Sequence, residues 1–302
     1  MKIFSGSANK VLAQRVSNCL KLPLSKLEIF IFPDGERRVR VLDNVVDQHC
    51  VIIQPTSRPV DQNYVELFFI IDCLKRSGAS FVTAVVPYLG YQRQDHVFRD
   101  GEAVSLEVIS KALEATGLNK LITFDLHTIK TPDIFSIEFV HLSALRIFSE
   151  IIKKQKEIHQ NSILISPDMG GIRRIKILSN YLNNMPFATI NKNRDLETGS
   201  VEATDIEGIE KQSNFNSALI VDDMISSGGT VIAAADLLIK NGIKNIYVFA
   251  THPVFSQQAP ALLQNSAIKK VFVTDGIKID KAKQFEKLQI ISISEEIAHS
   301  LK

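Results

Sequence analysis

The stretch ALIVDDMISSGGT, residues 218–230, carries the strongest structural signal in the sequence. Its first four residues predict a buried strand, two acids close that strand, and a turn of small residues leads into a helix that starts near Thr230. Gly228 and Gly229 permit backbone angles at which amide N–H groups converge, and a helix amino terminus adds favourable dipole charge for an anion. The stretch therefore predicts a strand-turn-helix unit with a phosphate-binding turn.

The two acids of this stretch, Asp222 and Asp223, extend the prediction to a sugar phosphate. A carboxylate touching a phosphate would repel it, so these side chains are better placed to accept hydrogen bonds from hydroxyls, of which ribose offers two. Ser226, Ser227 and Thr230 add hydroxyl donors to the turn. A glycine pair alone would favour a capped turn without a ligand, but the acids and hydroxyls at this spacing favour a ligand site.

Outward from this stretch, the chain alternates short apolar runs with segments of helical period. That alternation is typical of α/β proteins whose parallel sheets are covered by helices on both faces. Because the rhythm is similar on both sides of about residue 145, we expect two related domains, residues 1–145 and 146–302, and the pattern leaves open whether the last helix packs back on the first domain. The predicted strands are 51–53, 81–86, 121–124, 163–165, 218–221, 246–249 and 270–273, and the predicted helices are 64–77, 103–116, 142–154, 171–182 and 230–241.

The segment Asn191–Asn216 interrupts the alternation. It is polar, punctuated by glycine and rich in both charges, so it is either a mobile loop or a solvated hairpin. Lys192 and Arg194 lie at its start. Taken alone, they are best interpreted as two solvated loop charges.

Composition limits the classes of function. The formal net charge of the 302-residue chain is only +2, which gives no sign of a surface that binds nucleic acid. The chain has three cysteines without a CxxC pair, a usage that fits a reducing cytosol better than a disulfide framework or a structural zinc site. No apolar stretch approaches the roughly 18 residues of a membrane span, and the amino terminus lacks a signal-type apolar core. We therefore expect an unprocessed cytoplasmic protein.

Two polar segments in the first half could contact a nucleotide. Phe32, Asp34 and Glu36 combine an aromatic ring that could stack on a purine with acids that could accept from its amino group, although spacing alone favours a simple hairpin turn here. Arg93, Gln94 and Asp95 follow a predicted buried strand, and ligands bind at the carboxyl ends of strands in open α/β sheets. Their other interpretation is a solvated arginine paired with an acid. The residues in this group are Phe32, Asp34, Glu36, Arg93, Gln94 and Asp95.

Two further strand ends offer ligands for a cation and amides for an anion. His127 closes the run TFDLH and could ligate a divalent cation, but magnesium prefers oxygen, so metal chemistry alone favours a histidine satisfied within the protein. Asp168 follows another predicted strand and offers such an oxygen. Gly170 and Gly171 then form a second amide-rich turn before a helix.

Taken together and in this order, these segments resemble the ribose-phosphate pyrophosphokinase family along nearly the whole chain. The corresponding family stretches are similar to FSDGE, ARQDR, DLH and SPDxGG, and phosphoribosyltransferases share the loop at residues 222–230 but lack the set. The resemblance implies two related phosphoribosyltransferase-like domains, each a mainly parallel sheet flanked by helices. It also implies transfer of the diphosphoryl group of ATP to O1 of ribose 5-phosphate, with Mg²⁺ as cofactor.

The resemblance further assigns roles to individual residues. Lys192 and Arg194 become the catalytic cations, and His127 and Asp168 lie near the magnesium. A homo-oligomer is implied, dimer-based or hexameric, because the adenine pocket of the family is completed by a neighbouring subunit. The implied ATP contacts are Phe32, Asp34, Glu36, Arg93, Gln94 and Asp95; the implied ribose 5-phosphate contacts are Asp222, Asp223, Ser226, Ser227, Gly228, Gly229 and Thr230; and the diphosphate turn is Gly170 with Gly171.

Two departures and two alternative functions accompany the resemblance. His96 stands where an arginine or lysine is usual, and Ser226-Ser227 replaces the common Asp-Thr, yet neither change removes an essential donor. One alternative is a phosphoribosyltransferase that uses the same loop. The other is a catalytically silent regulatory homologue, which would be expected to lose Lys192, Arg194, His127 or Asp168.

Overall fold

The computed structural model describes residues 1–194, 201–208 and 215–302. Contacts divide the chain into two units: Met1–Leu142 with Gly276–Lys278 and Ser292–Lys302, and Ser143–Asp275 with Ile279–Ile291. No helix in the described part of the chain combines the length and hydropathy that a membrane span requires. The elements are β1 (Lys2–Ser5), α1 (Lys10–Leu20), β2 (Leu27–Ile31), β3 (Arg37–Val41), β4 (His49–Ile53), α2 (Val60–Arg76), β5 (Phe81–Val85), α3 (Ser105–Ala115), β6 (Lys120–Phe124), β7 (Glu138–Leu142), α4 (Leu145–Lys154), α5 (Lys156–His159), β8 (Ser162–Ser166), α6 (Ile172–Tyr181), β9 (Phe187–Arg194), β10 (Val201–Glu207), β11 (Ser217–Ile225), α7 (Gly229–Lys240), β12 (Asn245–Pro253), α8 (Ala259–Asn265), β13 (Ile268–Thr274), β14 (Leu288–Ile291) and α9 (Ser294–Ser300).

The first unit contains a sheet of five parallel strands in the order β1-β4-β5-β6-β7. Strands β4, β5 and β6 are buried along almost their whole length, as expected for parallel strands with helices on the sheet faces. Strands β2 and β3 form a separate antiparallel hairpin, so the hairpin turn that spacing favoured at Phe32–Glu36 is present. The last helix, α9, belongs to this unit and packs against α1.

The second unit contains a mixed sheet in the order β10-β9-β8-β11-β12-β13-β14. All neighbouring pairs are parallel except β9 and β10, which pair antiparallel at one edge. The described parts of Asn191–Asn216 therefore include a strand pair, as the hairpin alternative expects, and residues 195–200 and 209–214 lie outside the described residues. The α/β class and its mainly parallel sheets are confirmed.

Helices α6 and α7 cover opposite faces of this second sheet. Ile175 and Leu178 of α6 belong to a core cluster that contains Leu164 and Leu219, whereas α7 packs into the cluster that contains Ile220. Since successive side chains of a strand point to opposite faces, Leu219 and Ile220 must face different helices. The chain leaves β8 and β11 in opposite directions, which makes the boundary between these two strands a topological switch point.

Candidate active site

The turn after β11 has the form that the sequence predicts. Strand β11 runs through both acids to Ile225, and α7 begins at Gly229. Gly228 caps the helix with φ +84°, a left-handed conformation that a residue with a side chain adopts only at a cost. Ser226 is tied to the next loop, because its carbonyl accepts from the N–H of Ser256 at 3.0 Å and the two hydroxyls lie 3.1 Å apart. The turn is thus held in place by its own neighbours.

The two acids before this turn are largely buried. The side chains of Asp222 and Asp223 are 14% and 7% exposed, and the Asp223 N–H donates to Asp222 Oδ1 at 2.9 Å. Burial first, and then the adjacent Asp223 carboxylate, raise the pKa of Asp222 well above its usual range, while Arg174 acts in the opposite direction. Such a pair costs free energy in the folded chain, which is a common property of binding and catalytic sites.

Arg174, on α6, is a part of this site that sequence reasoning missed. Its Nη1 lies 3.5 Å from Asp222 Oδ1, and its Nη2 lies 3.6 Å from Asp223 Oδ1. The signal that could have found it is its position one helical turn after Gly171, which places it beside the second glycine turn.

The turn after β8 is a compact second cradle. Asp168 Oδ1 accepts from the Gly171 N–H at 3.2 Å, and the Ser166 hydroxyl donates to the Asp168 carbonyl at 2.7 Å. A Cβ at Gly171 would lie 2.4 Å from Ser166 Oγ, so a larger residue cannot enter without displacing that hydroxyl. Gly170 is exposed, and a Cβ built there would lie 3.3 Å from Asp168 Oδ1, which is a tight contact. Because β8 and β11 are neighbouring parallel strands, this turn and the turn at Gly228 lie at the same sheet edge, beside the switch point.

In the first unit, the turns after β5 and β6 are linked by one side chain. The buried Gln92 accepts from the His127 N–H through its Oε1 at 3.0 Å. Arg93 and Gln94 are exposed, and the carboxylate of Asp95 lies 2.7 Å from the ring of His96. The structure thus brings the predicted phosphate contact Arg93 and the predicted metal ligand His127 onto adjoining turns of one unit.

The predicted adenine contacts lie at the tip of the β2-β3 hairpin. The Glu36 N–H donates to Asp34 Oδ1 at 3.1 Å, which shapes the turn. The ring of Phe32 is 37% exposed and has the Arg38 guanidinium 5.8 Å from its centroid. Glu36 also lines a cavity of about 690 Å³ between the hairpin and α2. An exposed aromatic ring with acids beside it suits a planar nitrogenous ligand.

Lys192 and Arg194 lie on β9, where their backbone pairs with Ala203 and Val201 of β10. The side chains of both residues lie outside the described residues. Their predicted catalytic role therefore stays a prediction.

The two predicted magnesium ligands lie in different units, and each, taken by itself, fits the ion only if substrate completes the coordination. Asp168 offers carboxylate oxygen at a half-buried position, and His127 offers an exposed imidazole. Among the residues that the structure describes, no group of three or more His, Cys, Asp or Glu side chains could hold a metal ion. Mg²⁺ is usually bound through one or two carboxylates plus substrate phosphates, so the Asp168 carboxylate fits such an ion.

Two amide-rich turns on neighbouring parallel strands define a class, the α/β proteins that bind phosphorylated ligands at the carboxyl edge of a sheet. Comparison with known proteins identifies one family within this class. A family model described as the N-terminal domain of ribose phosphate pyrophosphokinase matches residues 1–117, and one described as the phosphoribosyl synthetase-associated domain matches residues 211–302.

Similar proteins match the whole chain. A Streptococcus agalactiae protein named ribose-phosphate pyrophosphokinase 1 is 34% identical, with 100% of this chain and 92% of that protein covered. A ribose-phosphate pyrophosphokinase of Aquifex aeolicus is 36% identical over 100% of this chain and 95% of its own length. The crystal structure of phosphoribosylpyrophosphate synthetase from Mycobacterium smegmatis covers 99% of this chain and 97% of that chain, with a TM-score of 0.89 and 28% identity. The chain belongs to the ribose-phosphate pyrophosphokinase family.

Proposed function

We propose that the protein transfers the diphosphoryl group of ATP to O1 of ribose 5-phosphate for nucleotide biosynthesis. O1 attacks the β-phosphorus of ATP, the bond from that phosphorus to the α,β-bridging oxygen breaks, AMP leaves, and the O1 proton passes to solvent. The products are 5-phosphoribosyl 1-diphosphate and AMP. The observation that carries the proposal is the pair of amide-rich turns on β8 and β11, with two buried acids beside one of them.

The second unit supplies the sugar side of the reaction. The turn Ser226–Thr230 binds the 5-phosphate through converging amides, hydroxyls and the amino terminus of α7. Asp222 and Asp223 accept hydrogen bonds from the ribose hydroxyls. Gly170 and Gly171 form the proposed turn for the diphosphoryl group, and the Gly171 N–H must exchange its bond to Asp168 Oδ1 for one to the ligand. This assignment gives each group on the sugar a partner of opposite hydrogen-bonding character.

The first unit supplies the nucleotide side. The exposed ring of Phe32 stacks on adenine, and Asp34 and Glu36 accept from its amino group. Arg93 grips the phosphates in a bidentate manner, and the neighbouring residues contribute polar contacts. The proposed ATP contacts are Phe32, Asp34, Glu36, Arg93, Gln94 and Asp95.

Charge neutralisation provides most of the rate enhancement in such a transfer. Lys192 and Arg194 are proposed to stabilise negative charge on the equatorial oxygens of the transferred group. Asp168 and His127 are proposed ligands for Mg²⁺, which when bound neutralises phosphate charge and polarises the phosphorus.

We further propose a cytoplasmic homo-oligomer, dimer-based or hexameric. The free thiols of all three cysteines suit a reducing compartment. The exposed Phe32 at the hairpin tip suits a site that a second copy of the chain completes. ATP and ribose 5-phosphate are the expected small-molecule partners, and the near-neutral net charge does not favour nucleic acid.

Phosphorus NMR of the protein with ribose 5-phosphate, ATP and magnesium tests the reaction. AMP together with a sugar diphosphate is the expected result, and Lys192→Ala should lower turnover by orders of magnitude while ATP binding is retained. Formation of ADP would mean a different transfer. An unchanged spectrum would favour the silent regulatory homologue.

A further inference from the structure

Arg174 lies where α6 begins, just beyond the turn at Gly170 and Gly171. Its side chain is 15% exposed and reaches two carboxylates, with Nη1 toward Asp222 and Nη2 toward Asp223. A guanidinium is a planar fork with donors at fixed separation, so one side chain can fix the relative orientation of two acids. A lysine ammonium is a point charge and cannot hold both in the same way.

This cation opposes the effect of burial on the acids. Two adjacent buried carboxylates repel one another, and a protonated acid would present a donor to a ribose hydroxyl instead of a bare acceptor. Arg174 lowers the pKa of Asp222, whereas burial and Asp223 raise it. The arginine therefore favours the charge state in which the pair can accept hydrogen bonds.

The same guanidinium also borders the second cradle. A Cβ built on Gly171 would lie 3.5 Å from Arg174 Nη1, so the side chain passes directly by that turn. Arg174 is thus in contact with the acids before one amide-rich turn and adjacent to the other. A simple surface ion pair would have neither the burial nor the second neighbour.

We infer that Arg174 is a positioning residue for ribose recognition, whose guanidinium aligns the carboxylates of Asp222 and Asp223 with the two hydroxyls at C2 and C3 of ribose 5-phosphate. The inference rests on the proposed function and deepens it. It assigns to α6 a share of the substrate specificity that the turn after β11 alone does not explain.

The test compares Arg174→Ala and Arg174→Lys with the native chain. Arg173→Ala is the matched control, because Arg173 is the preceding residue of the same helix and is exposed. For each protein, kcat/KM is measured with ribose 5-phosphate and with 2-deoxyribose 5-phosphate at saturating ATP, and KM is measured for ATP. Circular dichroism and thermal melting confirm that each variant is folded.

We expect the native chain to prefer the ribose substrate, and Arg174→Ala to lose about tenfold or more of that preference. The KM for ATP should stay within about twofold of native. Arg174→Lys should recover part of the preference, and Arg173→Ala should match the native chain. An unchanged preference in folded Arg174→Ala, or an equal rise of KM for both substrates, would show a purely structural role and overturn the inference.

The inference can still be tested if Arg174→Ala does not fold or if the native chain is inactive. If Arg174→Ala does not fold, Arg174→Lys decides, since a native preference in that variant would contradict the need for a forked cation. If the native chain forms no AMP, the proposed function fails, and calorimetry of ribose 5-phosphate against its 2-deoxy analogue decides the inference. Weaker discrimination in Arg174→Lys than in the native chain supports it, and equal discrimination in both overturns it.

Discussion

Each unit buries carboxylates, and the two cases differ in how those carboxylates are paired. In the first unit, Glu66 is 1% exposed and accepts from the Ser7 N–H at 2.7 Å, the Ser7 hydroxyl at 2.8 Å and Gln54 Nε2 at 2.9 Å. In the second unit, Asp222 and Asp223 stand side by side, with the guanidinium of Arg174 at 3.5 and 3.6 Å.

The difference separates a carboxylate that builds the fold from a pair that we propose binds a ligand. Glu66 makes three short hydrogen bonds, which ties the turn after β1 to α2 and to the end of β4. The cation beside Asp222 and Asp223 lies beyond the 2.7–2.9 Å typical of a charge-assisted bond, and Asp222 has a raised pKa. A pair of acids held in that way lowers the stability of the fold, and its carboxylates retain the capacity to accept hydrogen bonds from a ligand.

The largest expected effect is a loss of activity when either acid of the Asp222–Asp223 pair is replaced. Asp222→Asn and Asp223→Asn should each lower kcat/KM for ribose 5-phosphate by about 100-fold, because an amide replaces a charged acceptor for a hydroxyl. Initial rates of AMP formation measure this. Asp236→Asn, an exposed change on α7, is the control and should leave the rate unchanged. Native rates in both pair variants would contradict a ligand-binding role.

The second-largest expected effect is a loss of folding stability when Glu66 of the first unit is replaced. Glu66→Ala should lower the free energy of unfolding by about 3 kcal/mol, because it strands the donors of Ser7 and Gln54 and leaves Arg37 without its carboxylate. Denaturant unfolding measures it, with Glu66→Gln expected to lose less. The control Glu107→Ala removes an exposed pair with Lys111 and should cost less than about 1 kcal/mol. Equal losses in Glu66→Ala and Glu107→Ala would contradict the fold-building role of Glu66.

The smallest effect is a pH-dependent gain of stability in Asp222→Asn. A carboxyl whose folded pKa is raised above its unfolded value contributes stability at low pH that is lost as the pH rises through the folded pKa, so ionised Asp222 is a cost at neutral pH. Replacing it should stabilise the chain by about 1 kcal/mol near pH 7. The gain should shrink as the pH falls and the native carboxyl takes up its proton. Unfolding curves at several pH values test this, and a gain that grows toward acid would refute it.

Local patterns were sufficient to predict the turns but not the contacts between elements. The β11–α7 unit follows from an apolar run, two acids and a glycine pair, and α7 begins one residue before the predicted Thr230. Strand β1 was missed because its four residues are too few to show a period, and β9 because its second half is polar. The roles of Arg174 and Glu66 depend on partners 48 and up to 59 positions away in the chain. No local rule relates such residues.

The order of strands in the second sheet has a consequence for how the chain reaches its native state. Strands β8 and β11 are neighbours, yet residues 167–216, including β9 and β10, lie between them. Pairing them requires closure of a long loop, whose entropic cost precedes the favourable contacts between the strands. This makes the pairing of such parallel strands slow. The two amide-rich turns therefore become neighbours late in folding. We expect the capacity to bind a phosphorylated ligand to return, in refolding, only with the last kinetic phase.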